Sequence, residues 1–393
     1  MLSKTMAGLY LHIPFCKQAC HYCNFHFSTS LKLKDEMVAA ILRELALQKD
    51  YLGGEPLETI YFGGGTPSLL NQRDLDLIFG EIFKHYPLAS DGVTLSHAVT
   101  KPSLEITLEA NPDDLNPLKI KELRQTPVNR LSIGVQSFSE ADLRFMNRAN
   151  NASEALASIQ NTQAAGFDNL SVDLIYGSPT TSHEQWAANL EQVFKLKIPH
   201  LSCYCLTVEP KTALAHQIKK GTVQPVDDEH AAQQFEFLME KTAQAGYEHY
   251  EISNLALPGH YSRHNTSYWL GKKYLGIGPS AHSFNGVSRQ WNVANNAAYI
   301  RSLQVGELPF EIEVLTPTQR YNEYVMTGLR TKWGCNLLKI KELGFEVHFD
   351  EGAKSFLADG TMEREGDVFR LTQAGRFLAD GIAAELFAEE GNG

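Results

Sequence analysis

The stretch "HIPFCKQACHYCNF" (residues 12–25) decides the fold prediction, because it places Cys16, Cys20 and Cys23 in the pattern C-x3-C-x2-C. Three thiolates at this spacing can surround one polynuclear metal centre. Zinc sites usually join two separated pairs of ligands, and the chain has no second pair at a suitable distance. An iron–sulfur cubane normally takes four thiolates, so three would leave one iron open to a substrate or cofactor. Three buried cysteines or a zinc-structured binding protein are the alternatives.

The composition of the 393-residue chain narrows its class. Its 35 lysines and arginines stand against 46 aspartates and glutamates, and the net charge of −11 argues against a general nucleic-acid binder. No apolar run approaches the roughly 18 residues of a membrane span, and the first residues lack the apolar segment of a signal peptide. We therefore expect a cytoplasmic protein, in which the six cysteines are metal ligands or buried thiols rather than disulfides.

Strand-like and helix-like segments alternate over the first 247 residues. The helical segments, such as residues 34–49, 74–86 and 153–166, carry apolar residues three and four positions apart. The predicted strands are residues 8–15, 59–65, 105–112, 130–138, 169–179 and 200–210. These six strand–helix units predict an α/β fold with a parallel sheet, a partial (β/α)6 barrel. The active sites of such barrels lie at the carboxyl ends of the strands.

The alternation ends near residue 247, so we predict three parts. These are the barrel over residues 1–247, an irregular Gly- and aromatic-rich segment over 248–314, and a winged-helix-like α+β domain over 315–393. Winged helices often bind DNA, but the last part has 9 lysines and arginines against 13 acidic residues. That balance favours a lid or packing role over DNA binding.

The cysteine spacing after a first strand, with Tyr22 directly before Cys23, resembles the radical S-adenosylmethionine superfamily. The sequence "GGGTPS" (residues 63–68) follows the second strand, where that superfamily meets the amino group of S-adenosylmethionine. Glycines allow such a close backbone approach. The resemblance implies a 4Fe-4S cluster on the three cysteines, whose open iron chelates S-adenosylmethionine and whose electron cleaves the S–C bond of that cofactor.

More narrowly, the chain resembles the branch of oxygen-independent coproporphyrinogen oxidase and its haem-chaperone relatives over nearly its whole length. The matching motifs are "LYLHIPFC", "IYFGGGTPS", "TLEANPDD", "NRLSIGVQSF", "VDLIYGSP" and "LTVEP". By this resemblance the cofactor-binding residues are Tyr10, Tyr22, Gly64, Gly65, Thr66, Glu109, Gln136, Arg148 and Asp173. Arg148 is suited to a carboxylate and Asp173 to ribose hydroxyls, although Arg148 lies in "MNRAN", where the family usually has G-R-x-H.

Three features separate the two members of that branch. Phe25 stands where the oxidase has a further cysteine. Because the first strand begins near residue 8, we also expect the oxidase's substantial N-terminal segment to be missing. The sequence "HNTSYW" (residues 264–269) matches the motif H-N-x-x-Y-W of the chaperones. An imidazole is a natural axial ligand of haem iron, so His264 is the expected haem contact and His282 a second candidate.

We therefore expect a haem chaperone that carries a 4Fe-4S cluster, binds S-adenosylmethionine, takes haem as cargo and has no catalytic residues for porphyrin oxidation. Its expected partners are haem and haem-requiring proteins, by family resemblance respiratory ones. A homodimer and transient contact with a membrane face are further expectations, and no nucleic acid is expected. The alternative is a radical enzyme that decarboxylates coproporphyrinogen III.

Overall fold

The computed structural model describes residues 6–89 and 104–389. These residues form one large mixed sheet with helices packed against it and a smaller sheet near the carboxyl end. Residues 1–5, which belong to the stretch tested for a signal peptide, lie outside the described residues. Within the described residues, no helix is long and apolar enough to cross a membrane.

The large sheet contains all six predicted strands, side by side, in chain order and parallel. Its strands are β1 (Ala7–Ile13), β2 (Leu57–Gly64), β3 (Glu105–Ala110), β4 (Arg130–Gln136), β5 (Leu170–Tyr176), β6 (His200–Cys205), β7 (Glu248–Glu251), β8 (Asn254–Ala256), β9 (Tyr274–Ile277), β10 (His282–Phe284), β11 (Ser288–Asn292) and β12 (Phe310–Val314). Their order is β12–β11–β10–β9–β1–β2–β3–β4–β5–β6–β8–β7. No ladder of the described strands joins β12 to β7, so the barrel stays open and the predicted partial barrel is confirmed.

Helices connect the parallel strands, and the three helical segments predicted from the sequence correspond to α1, α2 and α5. The described helices are α1 (Lys34–Leu47), α2 (Gln72–His85), α3 (Pro117–Leu123), α4 (Glu140–Phe145), α5 (Ala152–Ala164), α6 (His183–Lys195), α7 (Ala213–Lys219), α8 (Asp228–Gln244), α9 (Arg263–Trp269), α10 (Asn296–Gln304), α11 (Pro317–Leu329), α12 (Leu337–Leu343), α13 (Glu346–Ala358), α14 (Gln373–Arg376) and α15 (Ala379–Glu385). The sequence at a helix start helps to fix where the helix begins. At α2, for example, Asn71 and Asp74 form a reciprocal capping box.

Strand β1 shows how the sequence pattern gives the sheet two different faces. Leu9, Leu11 and Ile13 are at most 1% exposed and belong to the core between the sheet and its helices. Tyr10 and His12 alternate with them and line a cavity on the other face. Because successive side chains of a strand point to opposite faces, one strand contributes to both the core and the candidate site.

Residues 248–314 differ from the prediction of an irregular segment, because they contain strands β7–β12 and helices α9 and α10. These strands are only three to five residues long, which is too short for a recognisable alternation of apolar and polar residues. Their glycines serve close backbone contact: a Cβ on Gly276 would overlap the carbonyl oxygen of His282. The domain boundaries at residues 247 and 314 stay predictions.

The carboxyl-terminal part follows the order expected of a winged-helix-like domain, with helices α11 to α13, a hairpin and two more helices. Strands β13 (Cys335–Asn336), β15 (Val368–Leu371) and β14 (Met362–Glu365) form its antiparallel sheet, in that order. Phe349 is 0% exposed within a separate apolar core. The ion pairs Arg330–Glu251 (3.0 Å) and Arg289–Glu323 (2.7 Å) connect this part with the barrel.

Candidate functional site

The three cysteines lie on the loop between β1 and α1, at the carboxyl end of the first strand. Each is partly exposed and carries a free thiol. The Thr66 hydroxyl donates to the Cys16 sulfur at 3.4 Å, and Arg148 Nη1 donates to the Cys20 sulfur at 3.4 Å. Among the described residues, no group of three His, Cys, Asp or Glu side chains is arranged so that it could hold a single metal ion. Burial raises the pKa of Cys16 to about 11, against the opposing effect of the hydrogen bond from Thr66. A metal centre would offset this cost, because the thiolate is the form of cysteine that binds metals.

The glycine loop after β2 packs directly on the cysteine loop. The Gly65 N–H donates to the Ile13 carbonyl oxygen at 2.9 Å, and a Cβ on Gly65 would lie 2.6 Å from the Phe15 carbonyl oxygen. Gly64 has a φ of 102°, which residues with a side chain rarely adopt, and it lines the cavity. The predicted residues Gly64, Gly65 and Thr66 therefore lie beside the cysteine loop. At Gly65 only a glycine allows the two loops to pack this closely.

Two carboxyl groups lie on the inner face of β3 and β5. Tyr61 Oη donates to Glu109 Oε1 at 2.8 Å, and Ser132 Oγ donates to Asp173 Oδ1 at 3.4 Å. Burial raises the pKa of Glu109 to about 7, against the opposing effect of the hydrogen bond from Tyr61. Burial also raises the pKa of Asp173 to about 6. A cationic ligand would offset the cost of ionising these groups.

Arg148 is held at the ends of β3 and β4. Its Nη2 donates to Asn111 Oδ1 at 2.8 Å and to the Gly134 carbonyl oxygen at 2.6 Å. Its Nε is buried without a hydrogen-bond partner among the described residues. A Cβ on Gly134 would lie 3.1 Å from Gln136 Nε2 and 3.4 Å from Arg148 Nη2. The side chains of Gln136 and Arg148 therefore converge over Gly134, close to Cys20.

The two predicted tyrosines lie in different surroundings. Tyr22 packs against an apolar cluster that includes Met146 and Leu206. The Tyr10 ring belongs to an aromatic group on the inner face, 6.1 Å from the ring centroid of Tyr61 and 6.3 Å from that of His264. The structure thus places Tyr10 at the cavity, whereas Tyr22 anchors the cysteine loop to an apolar cluster.

His264, the expected haem contact, is 2% exposed on α9. Its Nδ1 forms a hydrogen bond with Thr59 Oγ1 at 2.8 Å, and its Nε2 forms one with Tyr268 Oη at 2.8 Å. The imidazole also stacks on Tyr61, with ring centroids 4.9 Å apart. Burial, followed by the positive charge of Arg130, lowers the pKa of His264 to about 3. The ring is therefore neutral near pH 7, and hydroxyl groups engage both of its nitrogens.

A cavity of about 970 Å³ extends from the inner face of the barrel to the helices of the carboxyl-terminal part. Its inner end includes Tyr10, Gly64 and Glu109. Its outer walls include Phe25, Tyr268, His282, Phe284, Arg320 and Met326. Volumes of roughly 300–1,000 Å³ are typical of small-molecule and cofactor sites. The cavity therefore joins three of the residues predicted to bind S-adenosylmethionine, Tyr10, Gly64 and Glu109, to Tyr268 and Trp269 of the motif "HNTSYW".

Sequence reasoning missed Tyr61, Asn111 and Arg320 as residues of this site. Tyr61 and Asn111 lie within "IYFGGGTPS" and "TLEANPDD", and Tyr61 shares the inward face of β2 with Gly63, so strand parity was an available signal for Tyr61. Asn111 carries no such signal, because it follows the end of β3. Arg320 belongs to the carboxyl-terminal part, and no spacing in the sequence connects it with the barrel.

Two family models match the chain. Residues 10–193 match the Radical SAM superfamily, and residues 315–378 match the HemN C-terminal domain. The solved structure of coproporphyrinogen III oxidase (HemN) from Escherichia coli, a radical SAM enzyme, shares the fold with a TM-score of 0.82 at 22% identity, over 98% of this chain and 91% of that one. These matches define the class as an α/β radical SAM barrel with a carboxyl-terminal domain.

Curated relatives narrow the class further. The heme chaperone HemW of Mycobacterium tuberculosis (strain H37Rv) is 34% identical over 384 residues, which cover 96% of this chain and 94% of that protein. The heme chaperone HemW of Lactococcus lactis (strain IL1403) is 30% identical over 395 residues, which cover 100% of both chains. The chain belongs to the HemW family of radical SAM proteins, which confirms the resemblance seen in its motifs.

Proposed function

We propose that this protein is a haem chaperone that binds haem in the cavity and hands it to haem-requiring proteins. The observation that carries the proposal is the cavity of about 970 Å³, whose walls combine aromatic rings such as Phe25 and Phe284 with the cationic Arg320. Flat rings suit the face of a porphyrin, and a guanidinium suits its carboxylates. The HemW relatives, which are named heme chaperones, support the proposal.

Cys16, Cys20 and Cys23 would hold a 4Fe-4S cluster. Their thiols are free and partly exposed on one loop, and Thr66 and Arg148 donate hydrogen bonds to the sulfurs of Cys16 and Cys20. A cluster is larger than a single ion and takes ligands that lie further apart. When bound, such a cluster supplies an open iron for S-adenosylmethionine and a source of one electron.

The inner end of the cavity suits S-adenosylmethionine. Glu109 would face the ammonium group, and it would give up its proton on binding because the positive charge stabilises the carboxylate. Arg148 would face the methionyl carboxylate, and Asp173 would accept from ribose hydroxyls. Gly64 lines the cavity and would offer its backbone to the cofactor; a side chain does not fit there, since a Cβ would lie 2.6 Å from the His12 ring.

Oxidation of coproporphyrinogen III is the alternative activity. The solved oxidase supports a shared fold only, at 22% identity, and Phe25 occupies the position of the oxidase's further cysteine. In our proposal the cluster and S-adenosylmethionine influence dimerisation or haem transfer and do not oxidise porphyrin. Respiratory haem proteins as recipients, a homodimer and transient contact with a membrane face belong to the same proposal.

The test is a haem-transfer assay with anaerobically reconstituted protein and apomyoglobin as the acceptor. The haem-loaded protein is expected to bind haem stoichiometrically and to pass it to apomyoglobin, as followed by the absorption of the product. In parallel, the reduced protein is incubated with S-adenosylmethionine and coproporphyrinogen III. Failure to bind haem, or formation of protoporphyrinogen at a catalytic rate, would contradict the proposal.

A further inference from the structure

We infer that His282, rather than His264, supplies the axial ligand to the iron of bound haem. The inference rests on the proposed haem-binding function and names the residue through which the cavity would hold its cargo. It depends on a comparison of the two imidazoles, on the chemistry of the cavity walls, and on the accessibility that cargo transfer requires.

The His264 imidazole has no nitrogen free for iron. A neutral imidazole has one N–H donor and one lone pair, and in this ring Thr59 Oγ1 and Tyr268 Oη engage the two nitrogens. A bond to iron would displace one of these hydroxyls. A bond through Nδ1 would leave the Thr59 hydroxyl, which is 0% exposed, without a partner, and a bond through Nε2 would displace the Tyr268 hydroxyl. Among the described residues that line the cavity, Tyr268 is present and His264 is not.

The His282 imidazole is available. His282 opens strand β10, is exposed, and lines the cavity. No hydrogen bond among the described residues engages its ring nitrogens, and the ring stacks on Trp291 with centroids 6.2 Å apart. Ser283 points the opposite way and accepts from the Gly276 N–H at 2.9 Å, so alternation along β10 directs His282 into the cavity. Although the residue is exposed overall, partial burial of its ring, and then the charge of Arg289, lowers the pKa of His282, which keeps a lone pair on one nitrogen.

The walls around His282 suit an iron porphyrin. Phe25 and Phe284 line the same cavity, and the Phe25 side chain is 68% exposed. A porphyrin against these rings would remove apolar surface from water. Arg320 lines the same cavity, so its guanidinium can pair with a propionate. Met326, 43% exposed on α11, offers a thioether on the same cavity.

An exposed ligand also fits a protein that must release its cargo. A ligand of an acceptor protein can replace His282 at the cavity wall while the barrel stays folded. Replacement of His264 would require α9 to separate from Thr59 on β2 and from the stacked ring of Tyr61. The geometry of His282 therefore allows both binding and transfer.

In the test, ferric haem is titrated into the reconstituted full-length protein. Haem binding is followed by absorption, and the iron ligands are identified by electron paramagnetic resonance. Wild type is compared with His282→Ala, His264→Ala and the control His216→Ala, whose exposed side chain lies on α7 outside the cavity. His282→Ala is expected to lose the signature of histidine ligation and to raise the haem Kd at least about tenfold, since even outer partners of metal ligands change affinity roughly 10–100-fold. Added imidazole should restore the signature. His216→Ala should match wild type.

The outcomes separate this inference from the proposed function. If wild type binds haem and His282→Ala keeps both its spectrum and its affinity, the assignment of His282 is wrong and the chaperone function stands. If folded His264→Ala, checked by circular dichroism, loses the histidine signature while His282→Ala keeps it, His264 is the ligand. If wild type binds no haem, the proposed function itself fails.

Discussion

Replacement of His264 by alanine is expected to lower the free energy of unfolding by about 3–5 kcal/mol. The imidazole is 2% exposed and bonds with Thr59 Oγ1 and Tyr268 Oη. Alanine would leave the fully buried Thr59 hydroxyl without a partner, which costs roughly 1–3 kcal/mol. Loss of the ring stacked on Tyr61, 4.9 Å away, adds a cavity cost of about 2 kcal/mol. Because domains are stable by about 5–15 kcal/mol, the variant should still fold.

Urea unfolding at neutral pH, followed by circular dichroism, measures this effect. His264→Asn keeps a polar group near Thr59 and should fall between wild type and His264→Ala. His216→Ala, on an exposed helix position, should stay within about 0.5 kcal/mol of wild type. A loss below about 1 kcal/mol for His264→Ala, together with a lost haem spectrum, would refute a supporting role for this residue.

The pH dependence of the effect has a definite sign. Burial lowers the pKa of His264 from 6.5 to about 3 in the folded state, so the unfolded chain takes up the proton first as the pH falls. The stabilisation by His264 is fully present above about pH 6.5 and declines by up to about 1.4 kcal/mol per pH unit down to about pH 3. The stability difference between wild type and His264→Asn should shrink over this range, and a constant difference would contradict the neutral buried ring.

The cavity and its loops offer three further tests. Gly65→Ala should reduce the amount of iron bound after reconstitution, because its methyl group would overlap a backbone carbonyl. Gly80→Ala, where a Cβ meets open space, should bind as much iron as wild type, and iron analysis measures the difference. S-adenosylmethionine should bind the cluster-loaded protein more tightly as the pH rises through about 7, where Glu109 ionises, and calorimetry on Glu109→Gln should show no such rise. Arg320→Gln should raise the haem Kd about fivefold, or roughly 1 kcal/mol, with the exposed Arg301→Gln unchanged in the same titration.

The central sheet was predictable because its strands are long and apolar. Strand β1 begins at Ala7, one residue from the predicted start, and β5 spans Leu170–Tyr176 within the predicted 169–179. Strands β8 and β10 were not predictable, since three residues carry no measurable period. Strand β8 pairs with β6, about 50 residues earlier in the chain, whereas β10 pairs with its sequence neighbours β9 and β11.

The residues of the candidate site also include some that were predictable from the sequence and some that were not. The carboxyl ends of parallel strands meet at one edge, so Glu109 and Asp173 could be assigned to one site from the sequence. A motif does not show whether a side chain faces ligand or protein. One of the two bonding partners of His264 is Thr59, which lies 205 positions away, and only the folded chain shows that both imidazole nitrogens are engaged.

The motif "HNTSYW" is best explained as a support for the cavity wall. His264 and Tyr268 are four residues apart on α9 and share a face of that helix. His264 bonds with Thr59 on β2 and with the Tyr268 hydroxyl, while Tyr268 and Trp269 line the cavity. In our proposal the histidine orients rings that contact the porphyrin and does not touch the iron. Substitution of His264 should therefore change stability and haem affinity but keep the ligation signature, whereas substitution of His282 should change the signature itself.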